Sequence, residues 1–100
     1  MNKRITTYLD GMGFKHAILG FAYLVEAIDI CLDDRSAINK MTVKGGIYAR
    51  VANTYITTPS RVERAMRHAI ESADFTIGNL NGKLPNSEFI ARAADEIREI

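Results

Sequence analysis

The stretch Thr57-Thr58-Pro59-Ser60-Arg61-Val62-Glu63-Arg64-Ala65-Met66-Arg67-His68-Ala69-Ile70-Glu71 constrains the fold more than any other part of the chain. Wound as an α-helix at about 100° per residue, it puts Val62, Met66, Ala69, Ile70 and the following Ala73 on one stripe. Ser60, Arg64, Arg67, His68 and Glu71 fall opposite, with Arg61 at the stripe's edge. The apolar set must be buried; the polar set must meet solvent or a ligand. Thr58 before Pro59 reads as an N-cap followed by proline at the first helical position, and Ser60 with Glu63 offers a capping box one turn on. The spacing predicts a helix from Pro59 to about Asp74, with arginines from its first turn.

Ile47, Tyr48, Val51, Ala52 and Tyr55 repeat at helical spacing just upstream, and the polar Thr57-Thr58 breaks that pattern before Pro59. This is helix, short turn, helix. The small Ala52 lets the two helices approach closely, and Val62 points an apolar side chain back into the same core. In a helix-turn-helix the N-terminal part of the second helix enters the major groove of DNA. One position disagrees with the tight form of the motif: Ile56 falls where such turns often need a positive φ, which a β-branched residue resists. A longer or differently shaped turn is therefore expected.

The chain has 100 residues, 47% of them apolar, and no linker-like tract, which suits one core and one domain spanning 1–100. Thirteen Lys+Arg against twelve Asp+Glu give a net charge of only +1, so any nucleic-acid site must come from local segregation of charge. Arg61, Arg64, Arg67, Lys40, Lys44 and Arg50 supply it on one side; Glu26, Asp29, Asp33, Asp34 and the last helix gather the acids. A single cysteine, Cys31, sits in an apolar run, which fits a small core residue in a reducing cytoplasm rather than a disulfide framework. No stretch approaches about 20 uncharged apolar residues, so no membrane span and no export signal are expected.

The remaining pattern is helical throughout. Residues 3–10 form a first helix carrying Ile5, Tyr8 and Leu9 and ended by Gly11 and Gly13. Residues 17–32 are apolar around most of the circumference and should be the buried spine. Residues 35–41 form a connection or short helical turn, and Gly45-Gly46 loosens the approach to the helix centred on Val51. Residues 76–85, with Gly78, Asn79, Asn81 and Gly82, read as a turn-rich loop. Asn86 or Ser87 caps a last helix whose Phe89, Ile90, Ala93, Ala94 and Ile97 share one face. The fold class is all-α: a compact bundle of about five to six helices containing a helix-turn-helix.

A guanidinium offers a planar two-donor fork, so Arg61, Arg64, Arg67 and His68 can meet guanine O6/N7 or phosphates, each good base pairing contributing about 1–3 kcal/mol of discrimination. The plainer reading is a solvated face, in which Glu63 with Arg67 and Arg67 with Glu71 form ordinary intrahelical ion pairs. Glu63 can accept from a cytosine amino group or simply hold Arg67. Thr57, Thr58 and Ser60 can present hydroxyls and first-turn amides to a phosphate, or act only as caps. Lys40 and Lys44 stand as phosphate clamps. His16 and His68 are far apart in sequence, with no Cys or acid at ligand spacing and no nucleophile beside them. Glu26, Asp29 and Asp33 share a helical face that is better read as solvated than as a Mg²⁺ site. No metal, no cofactor and no catalytic constellation is expected.

At these residues the chain resembles the C-terminal DNA-binding effector domain of the stage-zero sporulation response regulator, the master transcription factor of endospore-forming bacteria. The resemblance is carried by Ser60-Arg61-Val62-Glu63-Arg64-Ala65, Arg67-His68-Ala69-Ile70-Glu71 and Asn86-Ser87-Glu88-Phe89-Ile90-Ala91, with weaker echoes at Gly20, Tyr23-Leu24, Glu26-Ala27-Ile28, Tyr48, Ala52 and Thr57-Thr58. It implies an all-helical fold whose recognition helix enters the major groove of a promoter box, often as two domains in tandem. On matching positions it implies Arg61, Glu63 and Arg64 as base readers, with Arg67, His68, Ser60 and the Thr57-Thr58 turn nearer the backbone. It also implies double-stranded DNA as partner, self-association on tandem sites and contact with RNA polymerase, in the cytoplasm and on the nucleoid.

Three features depart from the family. Its regulator carries an N-terminal phospho-acceptor receiver domain for which 100 residues leave no room, so phosphorylation is not expected to switch this chain in cis. The segment Ser72 to Pro85 is shorter than the family's, whose counterpart touches RNA polymerase and neighbouring subunits. Ile56 replaces the asparagine usual in the turn. The expectation is a free-standing, sequence-specific transcription regulator. The competing reading is a protein-interaction module that pairs with and modulates a full-length relative; exposed apolar residues on the last helix would favour it.

Overall fold

The computed structural model describes residues 2–77, 80, 81 and 83–100. Helix α1 (Lys3–Gly11) starts at Asn2, whose side-chain oxygen accepts from the Arg4 amide at 2.9 Å. It buries Ile5 and Leu9 and is followed by a turn in which Gly13 takes φ +85°. Helix α2 (Leu19–Asp33) is the spine the hydropathy predicts, with Phe21, Leu24, Val25, Ala27, Ile28 and Cys31 all buried. It begins later than residue 17 because Ile18 is extended, which closes a turn that stacks the His16 ring on Phe21 at 4.2 Å and pairs His16 with Asp10.

The connection after α2 is a 3-10 helix (Arg35–Lys40). Asp34 caps it, accepting from the Ser36 amide at 3.0 Å and the Ser36 hydroxyl at 2.6 Å, bonds that hold its carboxyl below the usual carboxylate range. Helices α3 (Ile47–Tyr55) and α4 (Pro59–Ser72) follow, then α5 (Asn86–Arg98). Between α4 and α5 two residues each of β1 (Thr76–Ile77) and β2 (Leu80–Asn81) pair antiparallel, Thr76 opposite Asn81. The segment expected to be a loop thus holds a minimal antiparallel strand pair; Gly78, Asn79 and Gly82, part of that expectation, lie outside the described residues. Among the described residues the class remains all-helical, with six helices including the 3-10 turn.

The buried side chains form one contiguous cluster, with α4 and α5 both packed on α2. Helices α2 and α4 approach closely at Gly20, where an added Cβ would fall 2.1 Å from the Ala65 carbonyl oxygen and 2.8 Å from the Ala69 Cβ. Glycine there lets the backbone of α4 sit directly on α2. Helix α4 ends at Ser72 rather than near Asp74: Ala73 is extended at φ −88°, ψ 145°, and the chain swings Phe75 back into the core. Phe75 meets Phe89 at 5.2 Å and Phe14 at 5.5 Å, and Phe14 meets Phe89 at 5.3 Å. Such pairs add about 0.5–1.5 kcal/mol each beyond their area burial, more than two extra helical residues would contribute.

Polar links tie the helix ends. Arg4 donates to the Ile97 carbonyl at 2.6 Å, Arg98 donates to the Cys31 carbonyl, and the Tyr8 hydroxyl donates to Glu96 at 2.7 Å. Burial pushes the Cys31 thiol up to about 11, so it is a protonated core group at neutral pH. Among the described residues no helix is long and apolar enough to cross a membrane.

Candidate nucleic-acid interface

The turn between α3 and α4 sets everything downstream. Ile56 takes φ 55°, ψ 57°, and the Thr57 amide donates to the Ala52 carbonyl at 3.0 Å, the backbone closure of a Schellman-type helix end. The turn is therefore the tight one, and the expectation of a longer or reshaped turn is corrected. Val51, Ala52 and Val62 are all buried where the two helices meet, and that packing holds a β-branched residue in the left-handed region.

Helix α4 starts as its sequence predicts. Thr58 is extended and its hydroxyl oxygen accepts from the Arg61 amide at 3.3 Å, with Pro59 at the first helical position. Ser60 consequently lies inside the helix, and the second cap foreseen between Ser60 and Glu63 does not arise. Val62, Met66, Ala69 and Ile70 are buried, while Ala73, past the helix end, is only half-buried. Ser60, Arg61, Arg64, Arg67, His68 and Glu71 are exposed and Glu63 is half-buried.

Arg67 stands 3.5 Å from Glu63, both more than a third exposed, a pair worth only tenths of a kcal/mol. Its foreseen partner Glu71 is beyond ion-pair distance, and among the described residues Arg61 and Arg64 pair with no carboxylate. Elsewhere Arg35 and Arg98 each reach Asp95 at 3.1 Å and Arg92 reaches Glu88 at 3.0 Å, while Arg50, like Arg61 and Arg64, has no carboxylate partner among the described residues. A balanced chain thereby leaves uncompensated positive charge on α4.

A groove of about 670 Å³ opens between α4 and the loop before α3, with Thr42, Val43 and Lys44 on one wall and Ser60, Arg64 and Arg67 on the other. The loop is pinned. The Gly46 amide donates to Val43 at 2.8 Å, the Tyr48 amide to Met41 at 3.1 Å, and a Cβ on Gly46 would strike the Lys40 carbonyl oxygen at 1.8 Å. Lys44 thus lines the same groove as Arg64 and Arg67, whereas Lys40 is exposed at the end of the 3-10 helix and does not line it. Thr57 lines a separate hollow with Arg50, Asn53 and Pro59.

The other support for α4 comes from Asn86. Its side-chain amide donates to the Glu63 carbonyl at 3.0 Å and to the Tyr48 hydroxyl at 3.1 Å, and the residue is 7% exposed. Asn86 does not cap α5, nor does Ser87: the cap residue is Pro85, which makes no side-chain cap bond. Burial pushes the Tyr48 hydroxyl above its ordinary range against the opposing effect of the Asn86 bond, so it stays protonated. In the sequence Tyr48 reads as part of an apolar repeat and Asn86 as a cap, and both carry the family resemblance, but none of these readings places the bond between them. Thr42, Val43 and Asn53 carried no signal at all, since nothing in a sequence brings a loop alongside a later helix.

The last helix presents no apolar face outward: Phe89, Ile90, Ala93, Ala94 and Ile97 are all buried. Among the described residues no three His, Cys, Asp or Glu side chains converge as a metal-ligand set. The arrangement can offer planar donor forks from Arg61 and Arg64, an acceptor from Glu63, and a cation with hydroxyls from Lys44, Thr58 and Ser60. Residues 5–97 match the family profile described as "Sporulation initiation factor Spo0A C terminal", nearly the whole chain.

Proposed function

The chain belongs to the Spo0A C-terminal family, a family of DNA-binding transcription-factor domains and not of enzymes, and from that premise we propose that it reads a specific duplex sequence with α4 in the major groove. In this reading Arg61, Glu63 and Arg64 contact base edges. Thr57, Thr58, Ser60, Arg67, His68, Lys40 and Lys44 contact the phosphate backbone, which fixes register but carries no sequence information. The observation that carries it is the state of Arg61 and Arg64: exposed, without a carboxylate partner among the described residues, and mounted on a helix whose underside is fully buried. In this reading the chain is a one-domain regulator on the nucleoid with double-stranded DNA as its partner.

The test starts with selection of a preferred duplex from a randomised pool, followed by fluorescence anisotropy against that duplex and a scrambled one. Arg61→Ala is expected to cost about 1–3 kcal/mol on the selected duplex and to relax the preference at one base step. Equal binding of the unmodified protein to all sequences overturns base reading.

A further inference from the structure

A recognition helix in the major groove runs beside a sugar-phosphate chain, and cations aligned along the helix can follow that chain over several phosphates. The groove holding Lys44 follows α4 only as far as Arg67. A second groove of about 440 Å³ continues past it, and the two share Tyr48, Glu63 and Arg67. Ser60, Glu63, Arg64, Arg67 and Glu71 follow each other at helical spacing, so the two grooves form one trough along a single side of α4, about 16 Å from Ser60 to Glu71. Lys83 stands at its far end.

The short lead that carries Lys83 is fixed. Leu84 packs against the core, Pro85 takes φ −55°, and Asn86 is bonded to the Glu63 carbonyl in the middle of α4. Lys83 itself is exposed and has φ +23°, a backbone state that side-chain-bearing residues rarely adopt. Charge along the trough runs Lys44, Arg64, Arg67, Lys83 against Glu63 and Glu71, four cations to two carboxylates. Without Lys83 the end beside Glu71 is anionic and repels a phosphate; with it the row of positive charge continues along the helix.

We infer that Lys83 is a phosphate-holding residue that extends the Lys44–Arg67 row, so that one DNA strand is held along the length of α4. This rests on the major-groove reading above. Nothing in the sequence marked Lys83, a single lysine in a turn-rich segment; the Leu84 packing and the Asn86 bond together bring it to α4.

The test uses the full chain, the selected duplex and its scrambled counterpart, with anisotropy titrations across a salt series. Lys83→Ala is expected to weaken binding to both duplexes alike, by about three- to tenfold, and to make the slope of log K against log salt shallower by about 0.9. Lys83→Gly removes the same amine while suiting the positive φ, so it should show the same loss with a melting temperature no lower than the parent's. The inference is overturned if both variants bind within twofold of the parent with an unchanged slope; base reading then still stands if Arg61→Ala loses the selected duplex. It is also overturned if only the selected duplex is affected, because that marks a base contact. A parent protein that binds neither duplex removes the major-groove reading and this one with it.

Discussion

At the scale of single residues, Ile56 shows strain without local compensation. A left-handed conformation costs a side-chain-bearing residue roughly 1–2 kcal/mol, and at 94% exposure the isoleucine side chain recovers nothing by burial. Asparagine tolerates that region, so Ile56→Asn is expected to raise stability by about 1 kcal/mol in urea unfolding at unchanged slope; a loss would mean the side chain holds a contact. The oddity at Ile56 was legible in the sequence, but its consequence was not, because the burial of Val51, Ala52 and Val62 fixes the turn and the residue yields instead. Asn86 is the reverse case, plain to read and misassigned. A polar residue opening a helix looks like a cap, and its actual partners lie 23 and 38 positions away. Asn86→Ala should destabilise the protein by about 1–3 kcal/mol, since the buried Tyr48 hydroxyl loses its donor. A double-mutant cycle with Tyr48→Phe measures the coupling, and strictly additive losses would remove the bond from the account.

At the scale of elements, the contact of α2 with α4 decides where the arginine-bearing face of α4 stands. The obstacle an alanine at position 20 would meet is the Ala65 carbonyl at 2.1 Å, which is backbone and cannot rotate aside. Gly20→Ala is therefore expected to cost about 1–3 kcal/mol or more and to shift α4 as a body. Gly11 provides the contrast, a helical glycine with nothing within 4 Å of its Cβ position, where alanine should be neutral or stabilise by up to about 1 kcal/mol. Thermal melts of the two variants, and duplex binding well below both midpoints, separate the effects; equal stability at position 20 would mean the helices can part without cost. Helices α1, α2, α3 and α4 and their apolar faces were readable because period and caps are local properties. The stop at Ser72 was not, because Phe75 leaves the helix for Phe14 and Phe89, partners that no window around it contains. For the same reason the α4 arginines could be read as exposed, while the loop and the lead to α5 that flank them could not be placed.

At the scale of the whole molecule, a net charge of +1 gives little long-range attraction to a polyanion. Part of the protein's charge cancels in internal pairs, as Asp95 does with Arg35 and Arg98, and Glu88 with Arg92. Attraction to DNA must then come from the few cations of one face, and the salt dependence of binding counts them. With Lys40, Lys44, Arg67 and Lys83 on phosphates, log K should fall against log salt with a slope of about −3.6, roughly a hundredfold between 50 and 200 mM. A strongly basic protein of this size that binds without reading bases would give a steeper slope, the same on every sequence. Here the slope should be nearly equal on the selected and scrambled duplexes, with the difference in affinity between them almost independent of salt, because base-edge bonds release few counterions. A slope beyond about −6 would require phosphate contacts from cations outside this set, such as Lys3 and Lys15, and would overturn the interface drawn here.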